Sequence, residues 1–403
     1  MELDQDLKWA IGWNRLNLRL CGIWPEPATT ENATWSYKSL IIIAWLAIFL
    51  TLPQTANLFM LNGDLDQITT NLCLAIIPTV NAILKVLVTS YYRDGLKVLV
   101  QCFYDDWRAP KTNQETTAML TTAKVSRFIS TRCTVLTHML VTVFVSIRAI
   151  TIYACDREHE AQENLLIYHA YYPYNVRPTP ILVLTNMGQA LAAYCITIPY
   201  TGVDAFIAML VLHTCSQFEI LRMRLERLMD PRNGTRSMVS IKTELVSIVK
   251  RHEHLNWVAS RIEEYFNMLL LIQVLLCTIE ICFQGFLFFN FALHSEDGIW
   301  NFQLLFFALF VSFIVVHMYI YCYVGEMLLV QSNGMSISAY NSTWFNVSCR
   351  EARCLLFIMS RSGRPLRLTA GKFGTFSIEM FSAILRTAMG YLSVLVTVSA
   401  GKD

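Results

Sequence analysis

The sequence predicts an all-α membrane protein with seven transmembrane helices. Composition points there first: of 403 residues, 54% are hydrophobic and 15% charged, with a mean hydropathy of +0.42. A soluble domain carries roughly a quarter charged residues. The distribution is sharper than the totals. No Asp, Glu, Lys or Arg occurs from Ser39 to Gly63 or from Ile299 to Gly325, and uncharged apolar runs longer than about 18 residues read as spans. Third, the basic residues collect in alternate connections, which fixes an orientation.

Residues 1–38 mix apolar and polar groups without the charged-then-apolar order of a cleavable signal. Leu7, Ile11 and Leu18, with Trp9, Trp13 and Trp24, suggest an amphipathic segment at the membrane surface. Spans follow at about 39–61, 68–92, 128–153, 181–212, 265–292, 299–326 and 373–398. The fourth and fifth run on into helix-favouring polar sequence across about 213–264, turning at Pro231-Arg232-Asn233-Gly234. Leu245, Ile248, Val249, Leu255 and Val258 stripe the second arm of that hairpin. Another amphipathic helix is expected from Ala339 to Met359, before Gly363, Pro365, Gly371 and Gly374 break the chain. The chain thus divides into an N-terminal segment (1–38), a six-span bundle (39–326), a helix and linker (327–372) and a last helix (373–403). Apolar stripes outside the membrane need partners, either within one chain or in a subunit assembly.

Lys and Arg favour cytoplasmic loops. Between spans, 25 of them lie on the side of the N-terminus and only Arg157, Arg177 and Lys402 on the other. The N-terminus is therefore expected in the cytoplasm and the C-terminus outside. That orientation argues against a G-protein-coupled receptor, as do the missing Asp-Arg-Tyr at span three and Asn-Pro-x-x-Tyr in span seven. The sequons at Asn32, Asn233, Asn341 and Asn346 would all face the cytoplasm and stay unmodified.

A net charge of +2 argues for no nucleic-acid partner. Cys73, Cys133, Cys195, Cys277, Cys282 and Cys322 fall inside spans, as small hydrophobes. No metal or cofactor is expected, since His252-Glu253-His254 lacks the spacing of a helical zinc site. An intramembrane enzyme would need clustered catalytic groups, and none appears. A secondary transporter would show internal repeats; Pro53, Pro78 and Pro199 interrupt spans without one.

Several fragments in order carry a resemblance. Cys322-Tyr-Val-Gly-Glu326, Ala339-Tyr-Asn-Ser-Thr-Trp344, Pro365 with Leu368-Thr-Ala-Gly-Lys-Phe373, and Ile384-Leu-Arg before Tyr391 resemble the C-terminal signature of insect odorant receptors. Arg251-His252 ahead of Ile262-Glu263-Glu264 agrees with it, as does the inverted topology. The related gustatory receptors, the alternative within the superfamily, end in a Thr-Tyr…Gln-Phe pattern that Gly390-Tyr391 does not match. The resemblance implies a ligand-gated, non-selective cation channel, a tetramer whose last helices line a central pore and whose cytoplasmic helices form most subunit contacts. It also implies a shared co-receptor subunit as partner, no G protein, and the plasma membrane of a sensory dendrite or cilium. The co-receptor's long insertion between spans four and five is absent, which marks a ligand-tuning subunit.

On the last span Glu379, Ser382, Arg386, Gly390, Ser393 and Thr397 form one polar stripe. Lipid cannot satisfy such a stripe, so it faces water or a packed neighbour. By position relative to Tyr391, the resemblance puts the outer constriction at Val394 and Val398, where a ring of valines closes by dewetting. Arg386 either snorkels toward the cytoplasmic mouth or pairs with Glu379. The family's ligand pocket lies in the outer half of spans two to six. Here that half supplies Ile76, Ile77 and Val80; Ser146, Ile150 and Tyr153; Met187, Leu191 and Tyr194; Phe283 and Phe286; and Phe306, Leu309, Phe310 and Phe313. Such walls suit a small, mostly apolar volatile or cuticular-type compound. Glu280, mid-span, is either paired with Arg148, part of pore or pocket, or a neutral water-contacting acid. Lys85 and Asp204 are expected to snorkel toward span ends.

Overall fold

The computed structural model describes residues 2–26, 36–60, 65–154, 161–229, 238–294, 298–346 and 348–400. Its helices are α1 (Glu2–Leu20), α2 (Tyr37–Met60), α3 (Leu65–Asn71 continuing through Leu72–Ile76 and Ile77–Tyr91), α4 (Arg93–Arg108), α5 (Asn113–Ala154), α6 (Thr179–Met229), α7 (Met238–His294), α8 (Gly298–Asn341), α9 (Cys349–Ser362) and α10 (Ile378–Ala400). Seven of these, α2, α3, α5, α6, α7, α8 and α10, contain stretches long and apolar enough to cross a bilayer.

Length is what the bundle does unusually. Helix α6 has 51 residues and α7 has 57, each about 75 Å or more at 1.5 Å per residue, against a hydrocarbon core of about 30 Å. The surplus projects from the end of the bundle that carries α1, α4 and α9, called here the basic end. A second core forms there from Phe218, Leu221 and Leu225 of α6, Leu245, Ile248 and Leu255 of α7, Met335 of α8, and Leu355 and Ile358 of α9. The stripe read on α7 is buried in it, Val249 excepted, which is exposed, and Val258, which joins the main core. The helix expected from Ala339 begins only at Cys349, because α8 runs straight through to Asn341.

Helix α6 is the central post. Its apolar window is 89% buried, against 11% for α5 and 17% for α10. Helix α1 docks on α5 and α6 rather than lying on lipid alone: Leu7, Ile11, Leu18 and Trp24 are buried, and Ser130 Oγ donates to Asn14 Oδ1 (3.0 Å). Helix α5 opens with a capping box in which Thr112 N–H donates to Glu115 Oε2 (2.9 Å) and Glu115 N–H to Thr112 Oγ1 (3.4 Å). Arg224 of α6 then holds the same carboxylate at 2.8 Å.

Two π-turns, Ala47–Thr51 in α2 and Leu72–Ile76 in α3, each stop two residues short of a proline, Pro53 and Pro78. Proline lacks an N–H, so the carbonyl four residues earlier loses its helical donor. For Phe49 that donor is replaced by the Tyr172 hydroxyl at 2.8 Å.

Charge in the bundle corrects one expectation. Lys85 and Asp204 do not snorkel: both are buried, with Lys85 Nζ 2.6 Å from Asp204 Oδ2 and donating to Tyr200 O at 2.9 Å. His317 Nε2 lies 2.9 Å from the same carboxylate oxygen. Helices α3, α6 and α8 cross where these groups sit, so their side chains meet one another before they can reach a span end.

The fragment Leu368–Phe373 becomes a hairpin, β1 (Thr369–Ala370) against β2 (Gly374–Thr375), between α9 and α10. Gly371 (φ 56) makes its turn, and a Cβ there would meet Leu271 at 2.5 Å. Thr369 N–H donates to Glu263 Oε2 (2.9 Å) and Gly371 N–H to Asn267 O (2.9 Å). The hairpin thereby pins the start of α10 to α7.

Candidate functional site: two cavities and the last helix

Two adjoining cavities open within the end of the bundle opposite the basic end. The outer one, of about 210 Å³, is walled by Asn57 of α2, Leu74 and Ala75 of α3, Phe144, Ile147 and Arg148 of α5, Phe306 and Phe307 of α8, and Phe291 of α7. The inner one, of about 70 Å³, lies among Leu74 and Pro78, Thr137, Leu140 and Phe144, Ala193, Ile196, Thr197 and Tyr200, Phe306, Phe310 and Phe313, and Glu280. Leu74, Phe144, Tyr168 and Phe306 belong to both walls. Aromatic rings set the shape: Phe306 lies 5.5 Å from Phe144 and stacks on Phe310 at 5.9 Å, while Phe144 meets Tyr168 at 5.0 Å. Such walls hold a small ligand by burying apolar area, on the order of 25 cal/mol per Å².

The ceiling is not a span. Ile167, Tyr168 and His169, from the connection between α5 and α6, close the outer cavity. Side-chain amides of α6 grip the main chain there. Asn186 accepts from Ile167 N–H (2.9 Å) and donates to Leu165 O (3.0 Å), and Gln189 accepts from Tyr168 N–H (3.0 Å) and donates to Tyr168 O (3.2 Å). Arg148 donates to Leu166 O at 2.7 Å and Ile167 O at 3.1 Å, and Tyr171 N–H to Pro53 O at 2.9 Å. Burial, with the Arg148 guanidinium adding to it, pushes the His169 imidazole down to about 4, so the ring is neutral at ordinary pH. Arg148 is thus turned to the ceiling rather than toward Glu280. Sequence reasoning left this connection out; Asn186 and Gln189, amides on an apolar helix, were the signal for it.

Of the residues expected around a ligand, Phe306, Phe310 and Phe313 line the cavities. The structure places the others elsewhere. Val80, Ser146, Ile150, Tyr153, Met187, Leu191 and Leu309 are exposed on the outside of the bundle. Ile76, Ile77 and Tyr194 belong to neither wall, and the Tyr194 hydroxyl sits 2.8 Å from Thr142 Oγ1. Phe283 and Phe286 pack with Leu392 of α10. The difference between the expected and the cavity-lining faces is a rotation. The cavity faces of α3, α5 and α6 carry Leu74 and Pro78, Phe144 and Arg148, Ala193 and Thr197, about two positions from Ile76 and Val80, Ser146 and Ile150, Leu191 and Tyr194. Two residues turn a helix by about 200°, and inward and outward faces of a span are equally apolar.

Helix α10 touches the bundle along one narrow edge. Ile384, Ala388 and Leu392 are buried, the last against Gly285 of α7, where a Cβ would lie 2.9 Å from Leu392. Glu379, Ser382, Arg386, Gly390, Tyr391, Ser393, Val394 and Thr397 are exposed, and a Cβ at Gly390 would meet nothing within 4 Å. The side chain of Val398 lies outside the described residues, as do Asn32 and Asn233.

The family model of the 7tm odorant receptors matches residues 64–389. Odorant receptor 13a of Drosophila melanogaster is 24% identical over 402 residues, 94% of each chain, and odorant receptor 47a of the same fly is 25% identical over 57% of this chain and 58% of its own. The fold is similar to that of the olfactory receptor OR5 of Machilis hrabei, solved with eugenol, at a TM-score of 0.83 and 16% identity, covering 99% of this chain and 100% of that one.

Proposed function

The chain belongs to the insect odorant receptor family, a family of ligand-gated cation channels and not of enzymes, and from that premise we propose that it is an odour-tuning subunit of such a channel. It is a multi-pass membrane protein. In this reading it sits in the plasma membrane with the basic end in the cytoplasm, joins a shared co-receptor subunit in a hetero-tetramer, and binds small, mostly apolar compounds in the two cavities. The exposed face of α10, through Gly390, Tyr391, Val394, Thr397 and Val398, lines the pore.

One observation carries the reading: helix α7 belongs to both places. Glu280 walls the inner cavity, and Gly285, about 7.5 Å further along the axis at 1.5 Å per residue, is the seat of Leu392. A ligand that shifts α7 or the Phe306 face of α8 therefore moves the edge on which α10 rests. Helix α10 is held along that edge, by its hairpin and by Phe381 against Tyr319 of α8, while its opposite face is exposed, which leaves it room to tilt. Ligand-evoked, non-selective cation current from cells expressing this chain with the co-receptor, and none from this chain alone, is the expected result. Ligand-evoked current carried equally without the co-receptor would remove the hetero-tetramer, and ligand uptake without current would favour a carrier.

A further inference from the structure

The inner cavity holds one polar group that its apolar walls do not explain. Glu280 is 1% exposed, faces the cavity, and its Oε1 has no hydrogen-bond partner among the described residues. Both threonines of that wall are engaged: Thr137 Oγ1 donates to Cys133 O at 2.7 Å, and Thr197 Oγ1 to Tyr194 O at 2.7 Å. Lys85, the cation within its electrostatic reach, directs its ammonium to Asp204 and to Tyr200 O. A carboxyl at this depth is unfavourable without a donor, and the protein supplies none to Oε1.

We infer that Glu280 is the specificity-determining residue of the cavity, accepting a hydrogen bond from the hydroxyl or amino head of a ligand whose apolar body lies among Phe306, Phe310 and Phe313. The inference rests on the channel reading above and deepens it by naming the ligand class. Ethers and hydrocarbons of the same shape fill the same space but leave the acceptor unsatisfied, and a site built around a buried hydrogen bond rejects the analogue that lacks it. One such bond corresponds to a preference of about tenfold to a hundredfold. Beside an ammonium the carboxyl can ionise and pair with it, whereas a neutral amide cannot and serves a hydroxyl alone.

The test records currents from the full chain with its co-receptor for three matched sets: straight-chain alkanols from butanol to decanol, their methyl ethers, and the corresponding primary amines. The wild type is expected to respond to the best alkanol or amine at roughly tenfold lower concentration than to its ether. Glu280→Gln keeps size and an acceptor, so alkanol potency should hold while amine potency falls. Glu280→Leu should bring alkanol and ether to equal potency, with surface labelling confirming delivery. Glu280→Gln stands alone if the leucine variant fails to reach the surface. A wild type that favours no donor over its ether, or a preference that both delivered variants retain, overturns the assignment while ether-evoked current leaves the channel reading intact. Absence of current from every compound overturns both.

Discussion

Asp204 has two close polar neighbours at once, with Lys85 Nζ at 2.6 Å and His317 Nε2 at 2.9 Å from one carboxylate oxygen, all three residues buried in the bundle. Such a group is fragile to single changes and tolerant of paired ones, because removing one member leaves an uncompensated charge in low dielectric. Asp204→Asn should therefore destabilise the folded chain by about 3–5 kcal/mol, read as loss of the monodisperse peak of detergent-solubilised protein on heating. Joint replacement by Lys85→Met and Asp204→Leu should recover most of it. A single variant as heat-resistant as wild type would mean that the three groups do not depend on one another. The sequence marks Lys85 and Asp204 as charges in apolar runs, but not the crossing of α3, α6 and α8 that brings them together. Residue type was legible there, and partnership was not.

Along single helices, period and length were readable while rotation was not. All seven apolar helices and the projection of α6 and α7 follow from runs of side chains. The inward faces of α3, α5 and α6 do not, since lipid and a ligand cavity select the same residue types. Helix α10 is the exception, because its polar stripe distinguishes one side from another: Leu392 faces α7, and Val394, two positions and about 200° further round, faces away. If Val394 lines a constriction that shuts by expelling water, Val394→Asn should raise current in the absence of ligand and leave the rank order of ligands unchanged. The effect should be partial in a heteromer and grow when the co-receptor's matching position is changed as well. Unaltered basal current and ion permeability at normal surface levels would take Val394 out of the gate. The fragment Leu368–Phe373, recognised only as a signature, proves to be the hairpin that ties α10 to Glu263 and Asn267 of α7.

Among the described residues the two largest cores lie one inside the apolar bundle and one where the long helices project and α9 packs across them. Basic residues surround the second, so the proposed topology can be tested from outside. Arg177→Thr creates a sequon at Asn175, an exposed position in the ceiling connection, and should add a glycosidase-sensitive mass shift that the native chain lacks. A native shift abolished by Asn341→Gln would invert the orientation. The ceiling has a consequence beyond closing a cavity. Asn186, Gln189 and Arg148 all hold its main chain, whose atoms are the same whatever the side chains are. Substitutions at Ile167 or His169 can therefore reshape the cavity roof without loosening its attachment. Inheritance can vary that roof step by step, giving new tastes to a chain that still folds, whereas a change of length between Leu165 and Tyr171 would break every grip at once.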